Sequence, residues 1–201
     1  GCGNGVALCC LLYRVSGLEV FGVEMDKRAA DLCKRNIDLN MFKATIFNIN
    51  IANTIRELKS VSFDHVFMNP PYFKQNSVKE SHILSSHQAR VESMPLSAWI
   101  SVAKNRCKPN GKITIIQRVE RLPDIINCLS GYFGQVTVQP ISSFKDTSPK
   151  TVIVQATKTS GAAFKLLAPK IVHRRDGISG KVVYEDEFKK ILRYGHPLQL
   201  N

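Results

Sequence analysis

The chain has 201 residues, of which 44% are hydrophobic and 22% are charged, a balance that excludes an intrinsically disordered protein. The net charge of +12 favours a polyanionic partner such as a nucleic acid, and an ordinary basic surface is the alternative. No signal peptide opens the chain, and its longest apolar run, Val6 to Tyr13, is shorter than the ~18 residues of a membrane span. We therefore expect one domain, over residues 1–201, in a soluble cytoplasmic protein.

The chain begins with a glycine-rich turn, Gly1-Cys2-Gly3-Asn4-Gly5, that leads into a helix. A turn of this kind normally follows a strand of a parallel sheet, and here no residues precede it. We therefore expect that the domain is truncated at its N-terminus. The sheet should then lack the strand that lies between its two halves.

Strand-like apolar runs alternate with amphipathic stretches along most of the chain, which is typical of βαβ units around a parallel sheet. The spacing of apolar residues predicts the boundaries of each element. In chain order, we predict a strand over 18–24, a helix over 27–40, strands over 45–49 and 63–68, a helix over 96–107, a turn at 109–111, a strand over 112–117 and a helix over 122–131.

The alternation ends in the last third of the chain. Two strand-like runs, over 135–141 and 151–157, follow one another with no helix between them. This pattern predicts an antiparallel hairpin that closes an otherwise parallel sheet. Residues 164–201 form an extension of the same domain, with a strand-like piece over 164–172 and a helix over 185–194.

The glycine turn and Glu24 together indicate a nucleoside cofactor. Glycines allow the backbone to approach a ligand closely, and the N–H groups that open the next helix can bind an anionic group. Glu24 stands at the end of the next strand, about 20 residues later, where a carboxylate can accept hydrogen bonds from both hydroxyls of a ribose. The alternative is a plain helix-entry loop, with Glu24 favouring the N-terminus of the following helix.

The most specific motif is Asn69-Pro70-Pro71-Tyr72, which follows the strand FDHVFM. The prolines constrain the backbone so that the Asn69 side-chain oxygen and the Pro70 carbonyl can point into one cleft. An amino group on a flat ring fits there, because its N–H bonds can donate to both oxygens while Tyr72 stacks on the ring. The alternative is a turn that ends the strand, with Tyr72 as a packed aromatic.

The GCGNG turn, Glu24 and the NPPY motif resemble those of class I S-adenosylmethionine-dependent amino-methyltransferases. The resemblance implies an α/β, Rossmann-like, seven-stranded sheet with an antiparallel C-terminal hairpin, here without its first strand. It also implies that the cofactor is S-adenosylmethionine. Gly1 and Gly3 would lie against the methionine part of this cofactor, Glu24 would hold the ribose and Met25 would border the adenine. In many members an aspartate contacts the cofactor base where this chain has Asn50, so Asn50 would also bind the cofactor, with a side chain that can form hydrogen bonds but carries no charge.

A narrower resemblance, over nearly the whole chain, is to the bacterial tRNA1(Val) adenine-N6-methyltransferases, and it is strongest at NPPYF. It implies methylation of the exocyclic N6 amine of an adenine in RNA, in a tRNA near the anticodon. The catalytic residues would be Asn69, Pro70, Pro71 and Tyr72, and Asn69 would also contact the cofactor. The alternatives are methylation of a protein glutamine, another amino-methyltransferase acting on rRNA or DNA, and a fragment that binds RNA without catalysis.

Further candidates for chemistry are the basic residues near the motif, one histidine and the cysteines. Residues 73–92 contain lysines, histidines and an arginine that could grip an RNA backbone, and a mobile surface loop is the alternative. We interpret His65 as a structural histidine. The cysteines include no CxxC pair and no Cys/His cluster, so we predict reduced thiols and no metal. The cysteines are Cys2, Cys9, Cys10, Cys33, Cys107 and Cys128.

Overall fold

The structure, a computed structural model, describes residues 1–51, 53, 56–72 and 94–200. Its residues form two compact units, Gly1–Ser62 and Phe63–Asn201, which we call the first and the second unit. The expected organisation as one domain with an extension over 164–201 stays a prediction. None of the helices in the described ranges is long and apolar enough to cross a membrane.

The first unit consists of helices around a small parallel sheet. Its elements are α1 (Val6–Arg14), β1 (Phe21–Glu24), α2 (Lys27–Leu39), β2 (Thr45–Asn48) and α3 (Arg56–Lys59). β1 and β2 pair in parallel, with Phe21 opposite Thr45 and Glu24 opposite Asn48. The register therefore brings the carboxyl ends of both strands, with their polar side chains, to the same edge.

Helix α2 follows the predicted range almost to the residue because its start and its buried face are both encoded locally. The Asp26 carboxylate accepts a hydrogen bond from the Ala29 backbone N–H at 2.8 Å, which caps the first turn. Ala30, Cys33 and Ile37 recur at helical spacing and are buried. The helix thus has a defined beginning and one apolar face.

The second unit is built on a larger sheet. Its elements are β3 (Phe63–Met68), α4 (Leu96–Arg106), β4 (Cys107–Arg118), a 3₁₀ turn (Val119–Arg121), α5 (Leu122–Leu129), β5 (Phe133–Ser142), β6 (Thr151–Lys158), β7 (Lys165–Leu166), β8 (Lys170–Ile171), β9 (His173–Arg175), β10 (Val182–Tyr184) and α6 (Asp186–Tyr194). The strand order is β3-β4-β6-β5-β7, and β8 also pairs with β5. Its core consists mainly of side chains from β4, β5, β6, α4 and α5.

The closing hairpin is confirmed. β3 and β4 are parallel, whereas β6 pairs antiparallel with both β4 and β5. The C-terminal helix is also confirmed, as α6. The single strand-like piece predicted over 164–172 is instead two short strands, β7 and β8, which pair in parallel with β5.

The predicted turn at 109–111 is an irregularity inside a longer strand. The register with β3 moves from Phe63 opposite Cys107 to His65 opposite Lys112, so residues 108–111 bulge out of the ladder. Asn110 has a φ of 61°, and a Cβ on Gly111 would lie 3.0 Å from the Asp64 carbonyl oxygen. The bulge therefore requires a glycine at position 111.

The described strands form separate sheets. β1 and β2 make one sheet, β9 and β10 make another, and the larger sheet contains β3 to β8. The expectation that the domain is truncated before a strand of the sheet stays a prediction. The strands otherwise keep the predicted mixture of parallel pairing and a final antiparallel hairpin.

Candidate active site

In the first unit, the glycine turn is fastened to Glu24. The Gly3 backbone N–H donates to Oε2 of Glu24 at 2.8 Å, and the Asp26 backbone N–H donates to Oε1 at 3.0 Å. A carboxylate has about four lone-pair sites, so each oxygen can accept a further hydrogen bond. Glu24 thus holds the turn and the start of α2 together and keeps acceptor capacity for hydroxyl groups.

The two glycines with positive φ in this turn have different surroundings. Gly3 has a φ of +55°, and apart from Gly3 itself and its two chain neighbours no residue has an atom within 4 Å of the position that its Cβ would take. Gly5 has a φ of +86°, and its Cβ would lie 2.6 Å from the Cys33 sulfur of α2. Gly5 therefore packs the turn onto α2, whereas Gly3 borders open space that a ligand can fill. Gly1 is exposed at the start of the turn.

Asn48, which the sequence analysis did not single out, secures the end of β1. Its side-chain amide donates to the backbone oxygens of Glu24 and Met25 at 2.9 and 3.0 Å. The Met25 side chain is 54% exposed beside these bonds. Asn50 is half-buried in the segment that follows β2, where its carbonyl accepts from the Asn53 N–H at 2.9 Å. A polar residue at the end of the strand next to Glu24 was the signal that could have indicated Asn48.

Cys33 provides a test of how tightly the glycine turn packs on α2. Its side chain is fully buried, its sulfur lies 4.0 Å from that of Cys2, and burial, with the Cys2 thiol as a smaller cause, raises the pKa of Cys33 to about 12. The thiolate is the reactive form, and at pH 8 Cys33 is therefore almost entirely in the unreactive thiol form. In the unfolded chain the Cys33 thiol ionises at its ordinary pKa of 9.0, whereas in the folded protein it does not ionise until about 12. The free energy of unfolding should therefore fall as the pH rises from 9.0 towards about 12.

We expect iodoacetamide at pH 8 to alkylate Cys10, which is exposed, and to leave Cys33 unmodified in the folded protein. Mass spectrometry of peptides labelled before and after unfolding in urea measures this difference. Both cysteines should react in the unfolded chain, which serves as the control. Equal labelling of the two in native buffer would show that the turn does not pack on α2 as described.

In the second unit, the NPPY segment follows directly on β3. Asn69 is exposed, Pro70 is buried, and Pro71 and Tyr72 are half-buried. The side chain of Asn69 is therefore accessible beside a covered proline backbone. The role of these four residues as acceptor and stacking partner of an amino group stays a prediction.

A buried glutamine on β4, which the sequence analysis also missed, binds the proline backbone. Nε2 of Gln117 donates to the carbonyl oxygens of Pro70 and Pro71, both at 3.2 Å. Its side-chain oxygen accepts from the Arg118 backbone N–H at 2.8 Å. The available signal was its position on the strand, because Gln117 follows Ile113 and Ile115 on the inward face.

A charged pair follows Gln117 at the end of β4. Arg118 and Glu120 form a salt bridge with an Nη2 to Oε1 distance of 2.9 Å. The hydrogen bond with Glu120 raises the pKa of Arg118, and the Tyr72 phenol adds to this rise as a smaller cause. The Arg118 guanidinium therefore stays charged.

His65 has the structural surroundings that we expected. Its Nε2 lies 2.8 Å from the Thr114 hydroxyl, which also accepts from Gln155 at 3.1 Å. Desolvation, together with the nearby Lys112 charge, lowers the pKa of His65 below 6.5. The imidazole is therefore neutral at pH 7. The basic candidates over 73–92 lie outside the described residues, and no group of metal-ligating side chains occurs within the described ranges.

The site residues of both units fall within one family match. A model described as the methyltransferase small domain matches residues 1–143. The chain belongs to this methyltransferase family. The match contains the glycine turn, Glu24, the NPPY segment and Gln117.

Relatives of this methyltransferase-family chain include enzymes that act on tRNA. It is 25% identical over 134 residues to the tRNA1(Val) (adenine(37)-N6)-methyltransferase of Shewanella halifaxensis, covering 66% of this chain and 54% of the relative. It is 27% identical over 131 residues to the enzyme of the same name from Porphyromonas gingivalis, covering 62% and 50%. The chain thus spans about half the length of these relatives.

Solved structures that superpose on this chain show its fold. A protein of Agrobacterium tumefaciens described as a predicted O-methyltransferase superposes with a TM-score of 0.74 at 21% identity, covering 95% of this chain and 85% of that one. The fold is therefore the Rossmann-like fold of class I methyltransferases.

Proposed function

We propose that this protein methylates the exocyclic N6 amine of an adenine in tRNA, near the anticodon, with S-adenosylmethionine as methyl donor. The observation that carries the proposal is the NPPY segment at the end of β3. Its exposed Asn69 stands beside the Pro70 and Pro71 carbonyls that Gln117 holds. The family match and the tRNA-modifying relatives support the same activity.

The first unit has features that suit the cofactor. The space beside Gly3 leaves room for the methionine end of the molecule, which Gly1 would also border. Glu24 keeps lone pairs for the ribose hydroxyls, and the exposed Met25 offers an apolar side chain to the adenine. Asn50 would donate a hydrogen bond to the base. When bound, S-adenosylmethionine supplies an electrophilic methyl group.

The second unit has features that suit the target amine. The side-chain oxygen of Asn69 and the carbonyl oxygen of Pro70 would accept its two N–H bonds. Pro70 can do so because a carbonyl oxygen has two lone pairs and Gln117 uses one of them. These bonds would draw the nitrogen lone pair out of conjugation with the ring, and Tyr72 would stack on the base. Asn69 would in addition border the cofactor.

No strong general base is needed in this proposal. An aromatic amine becomes acidic only after it has been alkylated, so its proton can leave to water. His65 is hydrogen-bonded to Thr114 and has a lowered pKa, which suits a structural role rather than proton transfer. The residues of the site would therefore act by orienting the amine.

RNA fits the charge of the chain. A net charge of +12 attracts phosphates, and release of their counterions strengthens binding at low salt. Arg118 directly follows Gln117, which binds the NPPY backbone, and its guanidinium would meet the backbone of a base that has left its stack. A tRNA substrate would also mean that the enzyme works in the cytoplasm.

Analysis of methylated nucleosides tests the proposal. The full-length protein is incubated with methyl-labelled S-adenosylmethionine and unmodified tRNA, and the digested RNA is separated by mass spectrometry. We expect label in N6-methyladenosine and none with tRNA that already carries the modification. Label in a protein glutamine, in rRNA or in DNA would replace tRNA adenine as the substrate, and RNA binding without any transfer would contradict the enzymatic proposal.

A further inference from the structure

Gln117 has no part in the reaction as described above, yet it contacts the backbone of the NPPY segment. Its side chain is fully buried, and its amide nitrogen has a carbonyl oxygen for each of its two hydrogens. Its own oxygen is satisfied by the Arg118 N–H. All the hydrogen-bonding groups of the glutamine are therefore used, and two of its three bonds end on the two prolines.

The register of the sheet explains why a side chain is needed at this place. The last pair between β3 and β4 is Met68 opposite Ile115, and continuing it would put Pro70 opposite Gln117. Proline has no N–H to donate to a ladder, so regular pairing cannot continue through Pro70 and Pro71. Beyond the last pair, the amide of Gln117 donates to the carbonyl oxygens of the two prolines. It thereby holds the peptide planes of Pro70 and Pro71 after the ladder has ended.

We propose that Gln117 is a positioning residue for methyl transfer, and that it sets the direction in which the Pro70 carbonyl oxygen presents its second lone pair to the target amine. The inference rests on the proposed function, in which Pro70 accepts one N–H of that amine. Gln117 does not touch the amine itself. Its effect passes through the Pro70 carbonyl, to which it donates at 3.2 Å.

The chain contains a matched control. Gln139 on β5 is also buried, and its amide also donates to two backbone carbonyls, those of Pro140 and Ala168, at 2.9 and 2.8 Å. Gln139 makes no bond to the NPPY segment. Loss of its amide should therefore lower the stability of the protein as loss of the Gln117 amide does, without altering the NPPY segment.

The test compares Gln117→Leu with Gln139→Leu in the full-length protein, measuring kcat and KM on unmodified tRNA and the Tm of each variant. We expect both variants to melt at a lower temperature. Only Gln117→Leu should lose kcat, by about tenfold or more, with KM for S-adenosylmethionine within about twofold, because a small error in positioning has large effects on rate. The Gln139→Leu variant should keep kcat within about twofold of the wild type.

Gln117→Met is measured alongside, in case Gln117→Leu does not fold. Methionine matches the length of glutamine and fills the same space, but it has no N–H groups to donate. Two results would overturn the inference: both Gln117 variants keep the kcat of the wild type, or Gln139→Leu loses kcat to the same extent. A wild-type protein that labels no RNA adenine would instead contradict the proposed function. The two failures are therefore distinguishable.

Discussion

Asn69→Ala is expected to lower kcat on unmodified tRNA by at least about 100-fold, the size of effect seen when one positioned hydrogen-bonding group is lost from a reacting centre. In the proposed reaction, the side-chain oxygen of Asn69 acts on the amine and not on phosphates. The affinity for tRNA should therefore stay within about twofold, since phosphate contacts dominate it. Single-turnover kinetics and filter binding measure the two quantities on the same preparation.

Asn105→Ala is the control for this experiment. Asn105 is exposed on α4, where alanine is a better helix former, so the variant should keep both activity and tRNA binding. If Asn69→Ala weakens tRNA binding as much as it lowers turnover, Asn69 contacts the RNA and does not orient the amine. Full activity of Asn69→Ala would show that the Asn69 side chain does not orient the amine.

Features encoded by neighbouring residues could be predicted from the sequence. The range of α2 follows from the Asp26 cap and from apolar residues at helical spacing. The closing hairpin follows from two strand-like runs without a helix between them. The NPPY segment likewise lies within four consecutive residues at the end of one strand. Each of these features has its cause within about two dozen consecutive residues of chain, where periodicity and capping act.

Features that depend on pairing between distant segments could not be predicted in the same way. The Gln117 amide meets the Pro70 carbonyl across 47 residues, and Asn48 meets the Glu24 carbonyl across 24. Both contacts require the register of a parallel pair, which no local pattern reveals. The bulge at 108–111 has the same origin. Its turn residues are evident in the sequence, but the return of the strand to pairing with β3 is not.

A large loss of affinity for S-adenosylmethionine is expected when Glu24 is replaced. Glu24→Ala removes the acceptor proposed for the ribose and leaves the N–H groups of Gly3 and Asp26 without the carboxylate that binds them. Hydrogen bonds to a charged group contribute about 1.5–3 kcal/mol each, so we expect the Kd for S-adenosylmethionine to rise by at least about 30-fold. Isothermal titration calorimetry with S-adenosylmethionine and S-adenosylhomocysteine on the full-length protein measures this.

Asp26→Ala separates loss of the ribose acceptor from general damage to the same loop. Asp26 caps α2 through the Ala29 N–H, and its loss should destabilise the fold by about 1 kcal/mol. Its side chain has no proposed role toward the cofactor, so the Kd should stay within about threefold of the wild type. If Asp26→Ala raises the Kd for S-adenosylmethionine as much as Glu24→Ala does, Glu24 acts by holding the glycine turn. If Glu24→Ala binds S-adenosylmethionine with the Kd of the wild type, the carboxylate does not hold the ribose.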